Sequence, residues 1–111
     1  MAWETGLRPE LVPYMQYLVA GIQYLDPSAR VTSAYRSREQ QAILYRRFLE
    51  GAIPGPVAPP GRSYHELGRA IDILADENVL RIAGQWWESL GGRWGGDFQG
   101  VGKYDPIHFE A

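Results

Sequence analysis

The sequence of 111 residues contains no cysteine. That excludes disulfides, cysteine nucleophiles and Cys-rich zinc sites, and leaves the redox compartment open. Histidine is almost as scarce, with only His65 and His108. A surplus of one charge is also missing: 11 Lys and Arg stand against 13 Asp and Glu, for a net charge of −2. No basic field therefore points to nucleic acid or an anionic membrane. Long apolar runs are absent too. The stretch from Leu11 to Leu25 is broken by Pro13, Gln16 and Gln23 and falls short of the roughly 20 apolar residues of a membrane span, so membrane insertion is not expected. Met1 to Gly6 lacks a basic segment leading into an apolar one, so no signal peptide is expected. That implies synthesis in the cytoplasm, with any target beyond it reached by other means. No internal repeat is present. What remains is ordinary globular composition, 45% hydrophobic and 22% charged. The length predicts a single domain over residues 1–111 with a small core.

The pattern predicts three helices. Leu11, Met15, Leu18, Ile22 and Leu25 recur at spacings of four and three, which predicts a helix over 9–25 with Pro9 in its first turn and Asp26-Pro27 as its stop. Arg30 to Tyr35 reads as a strand with Val31 and Tyr35 inward. Ser37 and Gln40 form a capping-box pattern, opening a helix to about Glu50 with Ile43, Leu44 and Phe48 as its stripe. Gly51 ends it. Residues 51–62 hold four prolines and three glycines and read as a long loop bordering a site. Asp76 caps a third helix to about Leu90, with Val79, Ile82, Ala83, Trp86 and Leu90 on one face and Trp87 off it. Gly91-Gly92 stops it. Arg93-Trp94 is extended, Gly95-Gly96-Asp97 is a tight turn, residues 99–103 are a loop, and Ile107 to Glu110 is a strand.

Chemistry concentrates in Ser63-Tyr64-His65-Glu66-Leu67-Gly68-Arg69-Ala70-Ile71-Asp72. Asp72 stands between Ile71 and Ile73 in a strand pattern. A carboxylate buried there needs a cation, backbone donors or a metal, because leaving it unpaired costs several kcal/mol. Arg36 or Arg69 could serve without a metal. Alternatively, if the strands at Asp72 and His108 are neighbours, these two residues share a face and His65 can fold over to meet them. Two nitrogens and one carboxylate are the ligand set of a catalytic zinc, which keeps a fourth position for water. Two other zinc or nucleophile patterns fail. His65-Glu66 begins an H-E-x-x-H, but position 69 is Arg. A triad through Ser63 lacks a nucleophile-elbow sequence.

Ser63-x-His65-x-x-Gly68-x-Ala70-x-Asp72 matches the S-x-H-x-x-G-x-A-x-D signature of the D-alanyl-D-alanine carboxypeptidase and L-alanyl-D-glutamate endopeptidase family of zinc peptidases. Trp94-Gly95-Gly96-Asp97-Phe98, followed by Asp105-Pro106-Ile107-His108-Phe109-Glu110, resembles the phage endolysin branch. Ser33-Ala34-Tyr35-Arg36-Ser37 resembles the family's S-G-Y-R-S segment, with Ala34 in place of Gly. The three motifs span residues 33 to 110.

The resemblance implies His65, Asp72 and His108 as Zn2+ ligands and Asp105 as general base. It implies Arg36 as a catalytic and substrate-binding cation, and Ser63 as a substrate contact or a support for the turn that presents His65. Glu110, on the strand face of His108, is a candidate to support that ligand. Glu66 is expected to point away, and Asp97 to fix its own loop. The expected fold is α+β, a small antiparallel sheet carrying the zinc ligands and packed against about three helices. The expected activity is zinc-dependent hydrolysis of a peptidoglycan stem-peptide bond, L-Ala-D-Glu by the endolysin-like segment, with attack by a water that zinc activates. D-Ala-D-Ala carboxypeptidase or dipeptidase activity is the alternative. A weakly active structural or wall-binding component of a phage particle is another. Expected partners are the stem peptide and other phage-particle or lysis proteins, with holin release or particle delivery as the route to the wall.

Overall fold

The two strand patterns that flank the suspected site do pair. In a computed structural model, which describes residues 2–111, β2 (Ala70–Leu74) and β4 (His108–Glu110) run antiparallel, with Ala70 opposite Glu110, Ile71 opposite Phe109 and Asp72 opposite His108. β1 (Arg30–Ser33) pairs with the other edge of β2, and β3 (Arg93–Trp94) with the other edge of β4. The result is a four-stranded antiparallel sheet of order β1-β2-β4-β3. Three helices pack with it: α1 (Val12–Leu25), α2 (Arg38–Leu49) and α3 (Glu77–Ser89).

Strand alternation divides the sheet into two chemically different faces. Ile71, Ile73 and Phe109 join Met15, Leu18 and Ile22 of α1 and Leu80 and Trp87 of α3 in the core. Phe109 meets Trp87 edge to face, with centroids 6.5 Å apart. Asp72, His108 and Glu110 occupy the opposite face. The register of β1 against β2 is irregular between Val31 and Ser33, so that Ser33 lies opposite Asp72. Such an irregularity re-aims the chain at its end, and it delivers Ser33 and then Arg36 to the polar face.

Several expectations need correction. α1 starts at Val12, with Pro13 in its first turn instead of Pro9; Leu25 is exposed. Tyr35 lies beyond β1 and is exposed, not inward. α2 has the expected capping box between Ser37 and Gln40, yet Ile43 is exposed and the residue it buries is Gln41. α3 is capped by Asp76, whose side chain accepts from the backbone N–H groups of Asn78 and Val79. Its buried face is Leu80, Ala83, Gly84 and Trp87, while Ile82, Trp86 and Leu90 are exposed. Trp87, expected off the stripe, is anchored by donating its indole N–H to the Glu110 carbonyl at 2.8 Å. Among the described residues no helix is long and apolar enough to cross a membrane.

Candidate metal centre

His65 is presented by a single 3-10 turn, Tyr64–Leu67, whose sequence explains its shape. Ser63 Oγ accepts from the His65 backbone N–H at 3.2 Å. Glu66 turns back and accepts from the backbone N–H groups of Ser63 at 3.2 Å and Gly61 at 2.9 Å. It points away from the histidine, as expected, but it also clamps the end of the 51–62 loop. Gly68 closes the turn at φ +69°, where a Cβ would lie 2.6 Å from the Gly6 carbonyl oxygen. Only glycine suits that backbone and that approach.

The three suspected ligands converge. His65 Nε2 lies 3.2 Å and His108 Nδ1 lies 3.1 Å from the same atom, Asp72 Oδ1. One ligand atom from each residue falls within 4.8 Å of the others, and all three residues are buried. The outer nitrogen of each ring faces an oxygen acceptor. His65 Nδ1 is 2.7 Å from the Ala34 carbonyl, and His108 Nε2 is 2.7 Å from Glu110 Oε1. Each outer nitrogen therefore has an acceptor for its hydrogen, and the inner nitrogens, both turned to Asp72, are the atoms a metal would take in exchange for a proton. Two imidazole nitrogens and one carboxylate oxygen, with one side open to a cleft, fit a single zinc ion with a position left for water.

Burial pushes the Asp72 carboxyl up, but the hydrogen bonds and charges of His108 and His65 outweigh it and hold the group well below the usual carboxylate range. Burial pushes His108 down, but hydrogen bonds to Asp72 and Glu110 prevail and raise it to about 9. Arg36 completes the balance. Its Nη2 donates to Asp72 Oδ2 at 3.0 Å, its Nε to Ser33 Oγ at 2.8 Å and its Nη1 to Gln41 Oε1 at 3.1 Å. Arg69, the other candidate partner, instead donates to the Ala111 carbonyl.

Gln41 was not foreseen as part of the site. It is fully buried, and its Nε2 donates to the Ala58 carbonyl at 2.8 Å. It thereby links Arg36, and through it Asp72, to the 51–62 loop. A glutamine inside a helix reads as surface, so nothing local marks it.

Asp105 lies on the same cleft as the three ligands. Burial raises its carboxyl to about 6, with help from the Asp72 charge and against the pull of His108, His65 and Arg36. Its backbone is held on both sides, donating to the Gly95 carbonyl at 2.9 Å and accepting from the His108 N–H at 3.0 Å. A Cβ on Gly95 would sit 2.1 Å from the Asp105 carbonyl oxygen. Trp94 donates its indole N–H to the Pro106 carbonyl at 2.7 Å. The Trp94-Gly95-Gly96 segment thus forms a seat for the Asp105-Pro106 corner. Asp97 accepts from Gln99 through its carbonyl, inside its own loop.

The cleft measures about 650 Å³. Residues 53–59 of the Pro/Gly-rich loop, Phe98 and Lys103 line it together with the metal-ligand cluster, Arg36, Ser63 and Asp105.

A sequence model of the family described as VanY, D-alanyl-D-alanine carboxypeptidase, matches residues 4–94. No match is found among curated proteins. Among solved structures, the chain is 25% identical to a vancomycin-resistance D,D-pentapeptidase VanY from a VanB-type resistance cassette in complex with Zn(II), with a TM-score of 0.69, covering 94% of this chain and 71% of that one. It is 26% identical to VanYB in complex with D-alanine-D-alanine, with a TM-score of 0.69 and coverage of 94% and 70%. The Serratia marcescens L-Ala D-Glu endopeptidase ChiX shares the fold at 20% identity, with a TM-score of 0.57 and coverage of 96% and 81%.

Proposed function

From the premise that the chain belongs to the VanY, D-alanyl-D-alanine carboxypeptidase, family, whose zinc-peptidase site it carries, we propose that it removes D-alanine from D-Ala-D-Ala termini of peptidoglycan stem peptides. The observation that carries this reading is the His65, Asp72 and His108 cluster in a fold whose solved relatives include a D,D-pentapeptidase at 25% identity and VanYB in complex with D-alanine-D-alanine at 26%. The endopeptidase ChiX, at 20% identity, supports the fold alone.

Bound by His65, Asp72 and His108, zinc would act as a Lewis acid on the scissile carbonyl and lower the pKa of water. The chain's own groups do the rest. Asp105, with a carboxyl raised to about 6, is poised to take a proton from the attacking water and return it to the leaving amine. Arg36 commits three N–H groups to Asp72, Ser33 and Gln41. A guanidinium has five such donors, so two remain for the oxygen that gains charge as the carbonyl is attacked. Ser63 Oγ accepts from His65 N–H and keeps its own hydrogen for a substrate carbonyl. The 53–59 wall and Phe98 would narrow access to water.

A second reading is L-Ala-D-Glu cleavage in the manner of phage endolysins. It rests on the Trp94-to-Phe98 and Asp105-to-Glu110 resemblance, most of which lies beyond the residues matched by the family. Mass spectrometry of digested muropeptides separates the two. Released D-Ala supports the carboxypeptidase, and a new N-terminal D-Glu supports the endopeptidase. Intact muropeptides with a fully zinc-loaded protein would leave a wall-binding or particle component.

A further inference from the structure

Glu110 takes no part in the reaction proposed above, yet it is held with unusual care. It is 5% exposed, and an acidic side chain is rarely so buried without partners. It follows His108 by two residues in β4, so both side chains leave the sheet on the same face. Its Oε1 lies 2.7 Å from His108 Nε2, and its Oε2 lies 3.3 Å from Arg93 Nη1 on β3. Opposite it in β2 stands Ala70, too small to displace it. Its backbone carbonyl receives the Trp87 indole N–H.

The two imidazoles of the centre are held in different ways. His65 turns Nε2 inward, because a backbone carbonyl takes the hydrogen of its Nδ1. His108 turns Nδ1 inward, because a carboxylate takes the hydrogen of its Nε2. A carbonyl is neutral, whereas a carboxylate is charged and makes the opposite ring nitrogen a stronger donor. We propose that Glu110 is a positioning residue that selects Nδ1 of His108 as the metal-binding nitrogen and sets the zinc affinity of the centre. This inference rests on the zinc reading of the cluster.

The test compares the purified 111-residue chain with Glu110→Ala, Glu110→Gln and Arg93→Ala, using zinc competition against a chromophoric chelator. Arg93→Ala removes the ion pair and leaves the contact to His108. Glu110→Ala should weaken zinc binding by about 10- to 100-fold, the usual effect of removing such a partner. Glu110→Gln should lose less, since its amide oxygen can still accept, and Arg93→Ala should bind as wild type. Histidine nitrogen NMR of the zinc-loaded wild type should show metal on Nδ1 and hydrogen on Nε2 of His108. Undiminished affinity in both Glu110 variants overturns the proposal, and so does metal on Nε2. An equal loss in Arg93→Ala overturns it as well, because the ion pair alone would then explain the effect. If wild type itself binds no zinc, the underlying metal reading fails, which is a distinguishable result. The isosteric Glu110→Gln keeps the test open should Glu110→Ala fail to fold.

Discussion

Replacing Asp105 by Asn should make the metal-free protein more stable while abolishing turnover. The folded chain holds the Asp105 carboxyl at about 6, against an ordinary value of 3.8, first through burial and then through the neighbouring Asp72 charge. A group whose folded pKa is raised contributes its full stability below the unfolded value and loses it as pH rises through the folded value. The loss therefore falls between about pH 4 and pH 6, and above that the wild type carries the whole penalty. From 3.8 to about 6 is 2.2 pH units, or roughly 3 kcal/mol at about 1.4 kcal/mol per unit. Asp105 is only half-buried, so solvent screening reduces the expected gain to about 1–2 kcal/mol. For a chain of this length that is a rise in Tm of about 4–9 °C. The assay is thermal unfolding of both proteins in chelator from pH 4 to 8. The gap should open between pH 4 and pH 6 and then stay constant. Zinc content after reloading should match wild type, and muropeptide cleavage should disappear. A gap that does not change with pH, or a variant less stable at neutral pH, would refute the reasoning.

Three further outcomes follow from the same geometry. Zinc affinity should rise with pH up to about 9, where the metal-free His108 titrates, by about tenfold per pH unit for one displaced proton; isothermal titration at pH 6, 7 and 8 reads it. Gln41→Leu leaves an Arg36 N–H and the Ala58 carbonyl without their partner. It should cost about 1–3 kcal/mol in urea unfolding and lower kcat more than zinc content. Gly68→Ala forces a Cβ to 2.6 Å from the Gly6 carbonyl at positive φ, and should destabilise by more than about 1 kcal/mol with the melt as the readout.

The sheet and the ligand cluster were legible because their signals are local or energetic. Asp72 between two isoleucines demanded partners whatever the fold; alternation put it on a common face with His108 if their strands were neighbours, and the motif resemblance singled out the ligand set. The Ser37 capping box appears as read. The face of α3 was misread because both of its flanks are apolar. Ile82, Trp86 and Leu90 recur at helical spacing just as Leu80, Ala83 and Trp87 do. What decides between them is Gly84, where a Cβ would come within 2.1 Å of the Trp94 ring, and that contact is not encoded in the helix itself. Gln41 was invisible for a related reason. Its meaning lies in Arg36 and in Ala58, 17 residues away, and a helix surface pattern carries no trace of either.

The strand order has a consequence for how the molecule comes together. β4 lies between β2 and β3, so β3, which precedes it in the chain, has no neighbour in the sheet until β4 has inserted. The same insertion brings His108 to Asp72 across 36 positions of sequence. Such distant pairing is slow to form. Completion of the sheet and appearance of the metal-binding cluster are therefore one kinetic event. Half-folded chains then present no assembled centre, and zinc uptake during refolding should track the final phase of folding instead of preceding it.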